Sequence, residues 1–246
     1  MKKILKEPLL MMSGVFAMIA IISGILLTYH LNSTFSGGDE FRNSFLEEEE
    51  FEYSLRMNAT HLQEEIFNEL LTAHENYRIS NTSRNKEAYA TAIVKNFIAD
   101  FYTWSNKSDR TDVGGLQFIA PKIQTEFKSY AIDNFYLYLN QFIEIHGSEN
   151  LLEVSNISIN EILLDEQLQI GTEVDEETGD EIGPIMENVI KVNASWEYVF
   201  SNLEEHDQFQ RRATFILTEE NERIVIRAIE ENKAYLDENS FYIDGD

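Results

Sequence analysis

Five histidines stand at positions 30, 61, 74, 146 and 206, and their separation answers the first question about chemistry. None lies three or four residues from another, so no helix face offers two imidazoles to a zinc ion, and they read as surface or structural residues. The chain has no cysteine, which removes disulfides, thiolate metal sites, a thiol nucleophile and a lipidated cysteine after an apolar run. No P-loop, dinucleotide fingerprint, HExxH helix or G-x-S-x-G elbow is present, so the common motif-bearing enzyme classes lack support. The expectation is a non-enzymatic chain without a cofactor or a metal.

Three other groups of residues could carry a function. The run EVDEETGDE, Glu173 to Glu181, offers hard oxygen ligands, but its spacing does not fit D-x-[DN]-x-[DN]-G. It reads as a solvated hairpin loop, with a calcium site as the sharper alternative. Tyr102, Trp104 and Trp196 suit the lining of a conical pocket beneath helices laid across a curved sheet, although aromatics at this spacing also build cores. Ser13, Ala17, Ala20 and Gly24 are small residues within an apolar run, and Ala20 and Gly24 hold the small-xxx-small spacing that lets two membrane helices touch.

That run is the element everything else must be placed against. From Pro8 to Tyr29 there is no charged side chain, and 21 residues from Leu9 to Tyr29, coiled as a helix, span roughly 30 Å, the hydrocarbon thickness of a bilayer. A secretory signal has a shorter apolar core and a small-x-small cleavage site, so the run reads as an uncleaved anchor over 8–29. Lys2, Lys3 and Lys6 precede it, and Asp39, Glu40 and Glu47 to Glu50 follow it. The positive-inside rule then puts a stub, 1–7, in the cytoplasm and the bulk of the chain outside a plasma membrane. A stub this short holds no signalling domain. With the lysine-rich start and the lack of cysteine, the single anchor suggests a bacterial surface protein.

Residues 1–7 hold three lysines against one glutamate, a surplus of +2, which leaves −27 for the rest of a chain whose net charge is −25. Such a field repels phosphate backbones, so direct nucleic-acid binding by the acidic part is disfavoured and basic partners are favoured.

Beyond a small polar spacer at 30–40, the sequence predicts a long amphipathic acidic helix over 41–79, because Phe41 to Tyr77 has no Gly or Pro and Leu55, Leu62, Ile66, Leu70 and Leu71 recur at helical intervals. It is expected as a stalk, or as an arm packed on the domain. A compact domain is expected over 86–232. Tyr89, Ile93, Val94, Phe97, Ile98, Phe101 and Trp104 form one helical stripe, Asn106 to Gly115 a loop, and a helix from Pro121 to Ile145 ends at His146-Gly147.

Past Gly147 the period drops to two. Ile157, Ile159 and Leu163 form one face of a first strand whose phase disagrees with Val154, the mark of a bulge. The Asp-, Glu- and Gly-rich stretch Gln167 to Pro184 links it to the second strand. There Ile190, Val192, Ala194, Trp196, Tyr198 and Phe200 point one way. Phe209, Ala213, Phe215 and Leu217 make a third strand, and Ile224, Ile226 and Ala228 a fourth after the turn Glu219 to Glu222. An acidic tail, 233–246, follows. Helices first and antiparallel strands after them give an α+β domain, three helices packed on a curved four-stranded antiparallel sheet.

This layout resembles the VirB8-like and TcpC-like components of conjugative transfer machines. The resemblance is carried by the helix ending FIADFYTW (Phe97 to Trp104), the loop and Pro121 helix after it, and the strand VIKVNASWEYVF (Val189 to Phe200). It implies a nuclear-transport-factor-2-like (NTF2-like) soluble domain and a non-enzymatic scaffold of an envelope complex, a type IV secretion channel. Its partners would be other membrane proteins of that complex and further copies of the chain, with DNA as cargo and not as direct ligand. The alternatives are an extracytoplasmic small-ligand-binding module of the same fold and an exported enzyme with an unrecognised site.

Overall fold

The computed structural model describes residues 51–174, 181–199 and 209–230. The apolar run 8–29, the spacer, the acidic tail and the tip of the acidic loop at 175–180 lie outside them. No helix among the described residues is long and apolar enough to cross a membrane.

Residues 51–60 are not helical, which corrects the helix expected from residue 41 onward within the described part of that stretch. The first helix, α1, spans His61–Ile79. It starts where Thr60 closes a capping box. The Thr60 hydroxyl accepts the Gln63 N–H, and the Gln63 side chain accepts the Thr60 N–H, which satisfies two of the donors a helix start leaves bare. The segment before it is held to the domain by long-range partners, since Tyr53 is buried in the core and Arg56 reaches Asp100.

Helix α2, Ser83–Phe101, is capped by Thr82 and carries the broad apolar stripe, with Tyr89, Ile93, Val94, Phe97 and Ile98 fully enclosed. α1 packs along it. Leu70 is fully buried and Tyr77 nearly so in the same cluster as the sheet residues, so the core reaches back past residue 86 and α1 belongs to the domain, which excludes a free stalk here.

Helix α3, Pro121–Asp133, begins with proline at its first turn, where the missing N–H costs nothing. It stops at Asn134 and a separate helix α4, Leu139–His146, follows. The continuous helix expected to Ile145 is thus broken. The turn rolls Tyr136 wholly inward, where its hydroxyl donates to Phe101 O at 2.5 Å. Gly147, at φ 77°, closes α4 in a conformation that favours glycine.

Four antiparallel strands in the order β1-β2-β3-β4 complete an α+β fold: β1 Val154–Val174, β2 Glu181–Tyr198, β3 Arg212–Glu220 and β4 Arg223–Glu230. The link expected at Gln167 to Pro184 is instead mostly strand, because β1 and β2 pair out to Val174 and Glu181. Phe209 lies before β3. Asn221 and Glu222, at φ 50° and 61°, form the two-residue turn between β3 and β4, the arrangement whose twist suits a tight hairpin.

The register of β1 shifts between Val154 and Asn156, the bulge its phase suggested, and again between Ile159 and Glu161. The second shift changes which residues face the core. Ile157 and Ile159 stand opposite Trp196 and Ala194, whereas past the bulge it is Ile162 that stands opposite Val192. Leu163 pairs with Lys191 and is exposed, so it belongs to the outer face and not to the face expected for it. On that outer face Val189, Ile216 and Ala228 form a second, small cluster with Leu168.

The burial of α1 sets a test. Leu70→Ala should lower unfolding free energy by about 2–5 kcal/mol, whereas Leu71→Ala, at an exposed neighbour, should change it by less than about 0.5 kcal/mol. Urea titration of both variants checks this, and equal small effects would return α1 to a detached arm.

Candidate functional site

The three aromatics singled out in the sequence meet at the end of α2. Tyr102 caps that helix, its N–H donating to Ile98 O at 3.0 Å. Two residues on, the Trp104 N–H donates to Leu152 O at 2.7 Å, which ties the chain to the segment entering β1. Trp196 projects from β2 and its ring lies 4.3 Å from that of Tyr102. Trp104 reaches the pair through Phe135, whose ring is 5.4 Å from each of Trp104 and Tyr102, and Phe209 closes the far side at 5.1 Å from Trp104. All three are 2% exposed.

The polar atoms of two of them lead to Gln210. Trp196 Nε1–H donates to the Tyr198 hydroxyl at 3.0 Å, that hydroxyl donates to Gln210 O at 2.9 Å, and the Tyr102 hydroxyl donates to Gln210 Oε1 at 3.2 Å. Among the described residues, Trp104 Nε1–H has no acceptor. Ser13, Ala17, Ala20 and Gly24 lie outside the described residues.

A second cluster was missed by sequence reasoning, which left Asn106 to Gly115 as a plain loop. Asp100, in the last turn of α2, accepts Arg56 Nε at 2.9 Å and Lys107 Nζ at 3.2 Å on one oxygen, and the Gly115 N–H at 2.6 Å on the other. Lys107 Nζ also donates to Asp100 O at 2.6 Å, and its side chain is wholly enclosed. Arg56 continues to Asp112 at 3.0 Å and to Asn106 O at 2.7 Å. Asn106 donates to Gln63 Oε1 at 2.8 Å, and Gln63 donates to Ala99 O at 2.8 Å. The loop closes on two glycines for steric reasons: a Cβ at Gly114 would sit 2.2 Å from Asp100 O, and Gly115 adopts φ 74°. That Gly-Gly pair was the available signal.

Enclosure pushes the Lys107 ammonium down to about 8, against the opposing pull of Asp100. Burial works to raise the Asp100 carboxyl, but the Lys107 and Arg56 charges and the Gly115 N–H outweigh it and hold the group below its usual range.

A third cluster lies where residues 51–53 meet α1, α2 and β4. The Tyr53 and Tyr89 hydroxyls hydrogen-bond each other, His74 stacks 5.0 Å from Tyr89, and the Arg223 guanidinium lies 3.2 Å over the Phe51 ring. Burial raises both tyrosines above their ordinary range. Among the described residues no group of three or more His, Asp or Glu stands close enough together to hold a metal ion.

The arrangement is interlocking. Its ionic and aromatic groups are spent on one another, and what they can do chemically is fix the relative positions of residues 51–63, the end of α2, the 106–115 loop and β2. No family model matches the chain, and no curated protein or solved structure matches it either.

Two measurements check the ionic cluster. Asp100→Asn should cost about 3 kcal/mol, because it leaves the enclosed Lys107 without its carboxylate, and Lys107→Met added to it should restore part of that loss. The pH dependence has a definite sign. The folded protein releases the Lys107 proton near 8, the unfolded chain near 10.4, so the unfolded state binds more protons in between. The contribution of this group therefore rises with pH through that window and is lost as pH falls through 8. Denaturant titrations from pH 7 to 10 should show the wild type gaining on Lys107→Met, and parallel curves would refute the assignment.

Proposed function

We propose that the chain is a membrane-anchored, non-enzymatic scaffold of a multiprotein envelope complex, of the VirB8-like kind found in conjugative DNA-transfer (type IV secretion) channels, with an NTF2-like domain held outside the plasma membrane. The observation that supports it most is the filled space between helices and sheet. Of the three aromatics that a ligand-binding module would place around an open cone, Tyr102 packs on Trp196, and Tyr102 and Trp104 pack on Phe135, each of the three at 2% exposure. The charged groups of the domain interior are likewise held by structural partners. A domain so filled offers its outside surface for work, and the uncharged run 8–29 supplies a tether for such a surface.

The tether enters the reading as more than a passive span. Its Ala20 and Gly24 face is the place where two copies would touch.

In membranes of cells expressing the full chain, the protein should resist alkaline extraction, and a short amine-reactive crosslinker should trap oligomers of it. Ala20→Leu with Gly24→Leu should reduce those oligomers several-fold if the anchor helices touch. Extraction into the soluble fraction, or only monomer after crosslinking, would defeat the scaffold reading.

A further inference from the structure

Among the described residues the four-stranded sheet covers one of its edges and leaves the other open. Along β4 the segment entering α3 runs alongside: Ile119 forms a parallel bridge with Ile226, and the Ala120 N–H donates to Ile226 O at 2.9 Å. β1, at the other end of the order, pairs with β2 and with no other strand among the described residues. Burial fades toward that side. On β2, Val192 and Ala194 are fully enclosed and Trp196 is 2% exposed, while their partners across the register, Ile162, Ile159 and Ile157, are only half-buried although they lie on the same core face.

We propose that the edge of β1 from Asn156 to Gln169 accepts an extended, positively charged segment of a partner protein as a fifth strand. An unpaired edge carries backbone donors and acceptors that an added strand satisfies, and alternate side chains of that strand then supply selectivity. Here one face of the added strand would extend the apolar row of Ile157, Ile159 and Ile162. The other side would meet Glu161, which is exposed, and Glu166, which is half-exposed and 3.9 Å from Lys191; Asp165 lies toward the helices, 3.9 Å from Lys86, and β1 itself contains no lysine or arginine.

Charge selects the occupant. Two β1 edges pairing antiparallel would set these carboxylates against their own copies, and like charges facing across strands are destabilising. The chain's own segments outside the described residues on the same side of the anchor, 31–50, 175–180, 200–208 and 231–246, each hold more carboxylates than cations, so they are poor candidates too. The bulges act in the same direction. Register shifts at 159–161 and 163–166 break the edge into short runs that the flat edge of another sheet cannot follow and a flexible peptide can.

The test uses the full-length chain purified in detergent and a labelled peptide of alternating lysine and valine, about twelve residues long to match the reach of the edge. Anisotropy reports binding, and amide hydrogen exchange reads its location. The peptide should bind and slow exchange over 156–169, and the same peptide with alternate backbone nitrogens methylated, its charge intact, should lose that binding. The surface change Glu161→Lys with Glu166→Lys should weaken binding about tenfold, and a glutamate–valine peptide should not bind the native chain. The proposal is overturned if the methylated peptide binds equally, if protection appears away from β1, if no lysine–valine peptide binds, or if raising protein concentration alone protects this edge. The last result would assign it to a second copy. None of these readings depends on whether the chain works in a secretion channel.

Discussion

The carboxylate of Asp100 is the point on which the arrangement depends. A carboxylate drawn this far out of water, its side chain 22% exposed, is costly unless it is paired and hydrogen-bonded. Satisfying it draws in Arg56 from before α1, Lys107 from the loop after α2, and the Gly115 N–H from the end of that loop. The segment around Arg56, 44 residues upstream, and the loop that follows α2 are thereby both fixed to the last turn of one helix. Lys107 makes the constraint mutual, because a wholly enclosed ammonium has nowhere to find compensation except in the oxygens of Asp100 and its neighbours. The helix end, the loop and the segment before α1 are therefore ordered together.

From that fixed helix end the chain turns directly into the aromatic layer. Tyr102 and Trp104 follow Asp100 by two and four residues, and the Trp104 N–H docks on Leu152 O just before β1. The ionic cluster thus sets where β1 enters the sheet, and β1 then keeps its isoleucines on the core by spending a residue at each bulge. Polar and apolar parts divide the task. The ions determine which segments meet, and the rings and aliphatic side chains between helices and sheet supply most of the burial that holds them.

Some of this was legible in the residues and some was not, for identifiable reasons. The strand from Ile190 to Trp196 was plain because a strand with one core face writes its alternation into the sequence. The phase change in β1 was half legible: Val154 betrayed the first bulge, but the second bulge moved Leu163 outward and Ile162 inward, and alternation read without that insertion assigns both to the wrong faces. Over residues 51–60, the described part of the stretch before α1, the helix expected from Phe41 is absent for the opposite reason. Absence of Gly and Pro permits a helix without requiring one, whereas Tyr53 and Arg56 are held by partners more than thirty residues away, and the local signal that matters is Thr60 with Gln63 three positions later. The break after Asp133 has no local breaker of its own; it follows from burying Tyr136 against the end of α2. Tyr102, Trp104 and Trp196 were found from periodicity, which marks inward-facing rings but does not say whether they surround a space or fill it. Arg56, Asp100, Lys107 and Asp112 escaped notice because ion pairing between segments leaves no period in a sequence.

The use of cations inside the domain also shapes what is presented outside. Arg56 and Lys107 are taken up by Asp100, Lys86 by Glu219, and Arg227 by Glu187, all with side chains less than one-fifth exposed. In a chain with 19 basic and 44 acidic side chains, each such pair takes a carboxylate inward with its cation, so the surface keeps the net negative charge while losing basic groups. A surface of that kind discourages self-association through flat edges and favours encounter with cationic partners, with a rate that falls as salt is raised. The same pairing that fixes the fold at Asp100 therefore leaves fewer cations at the surface, and the unpaired excess of carboxylates sets the field that an approaching partner meets.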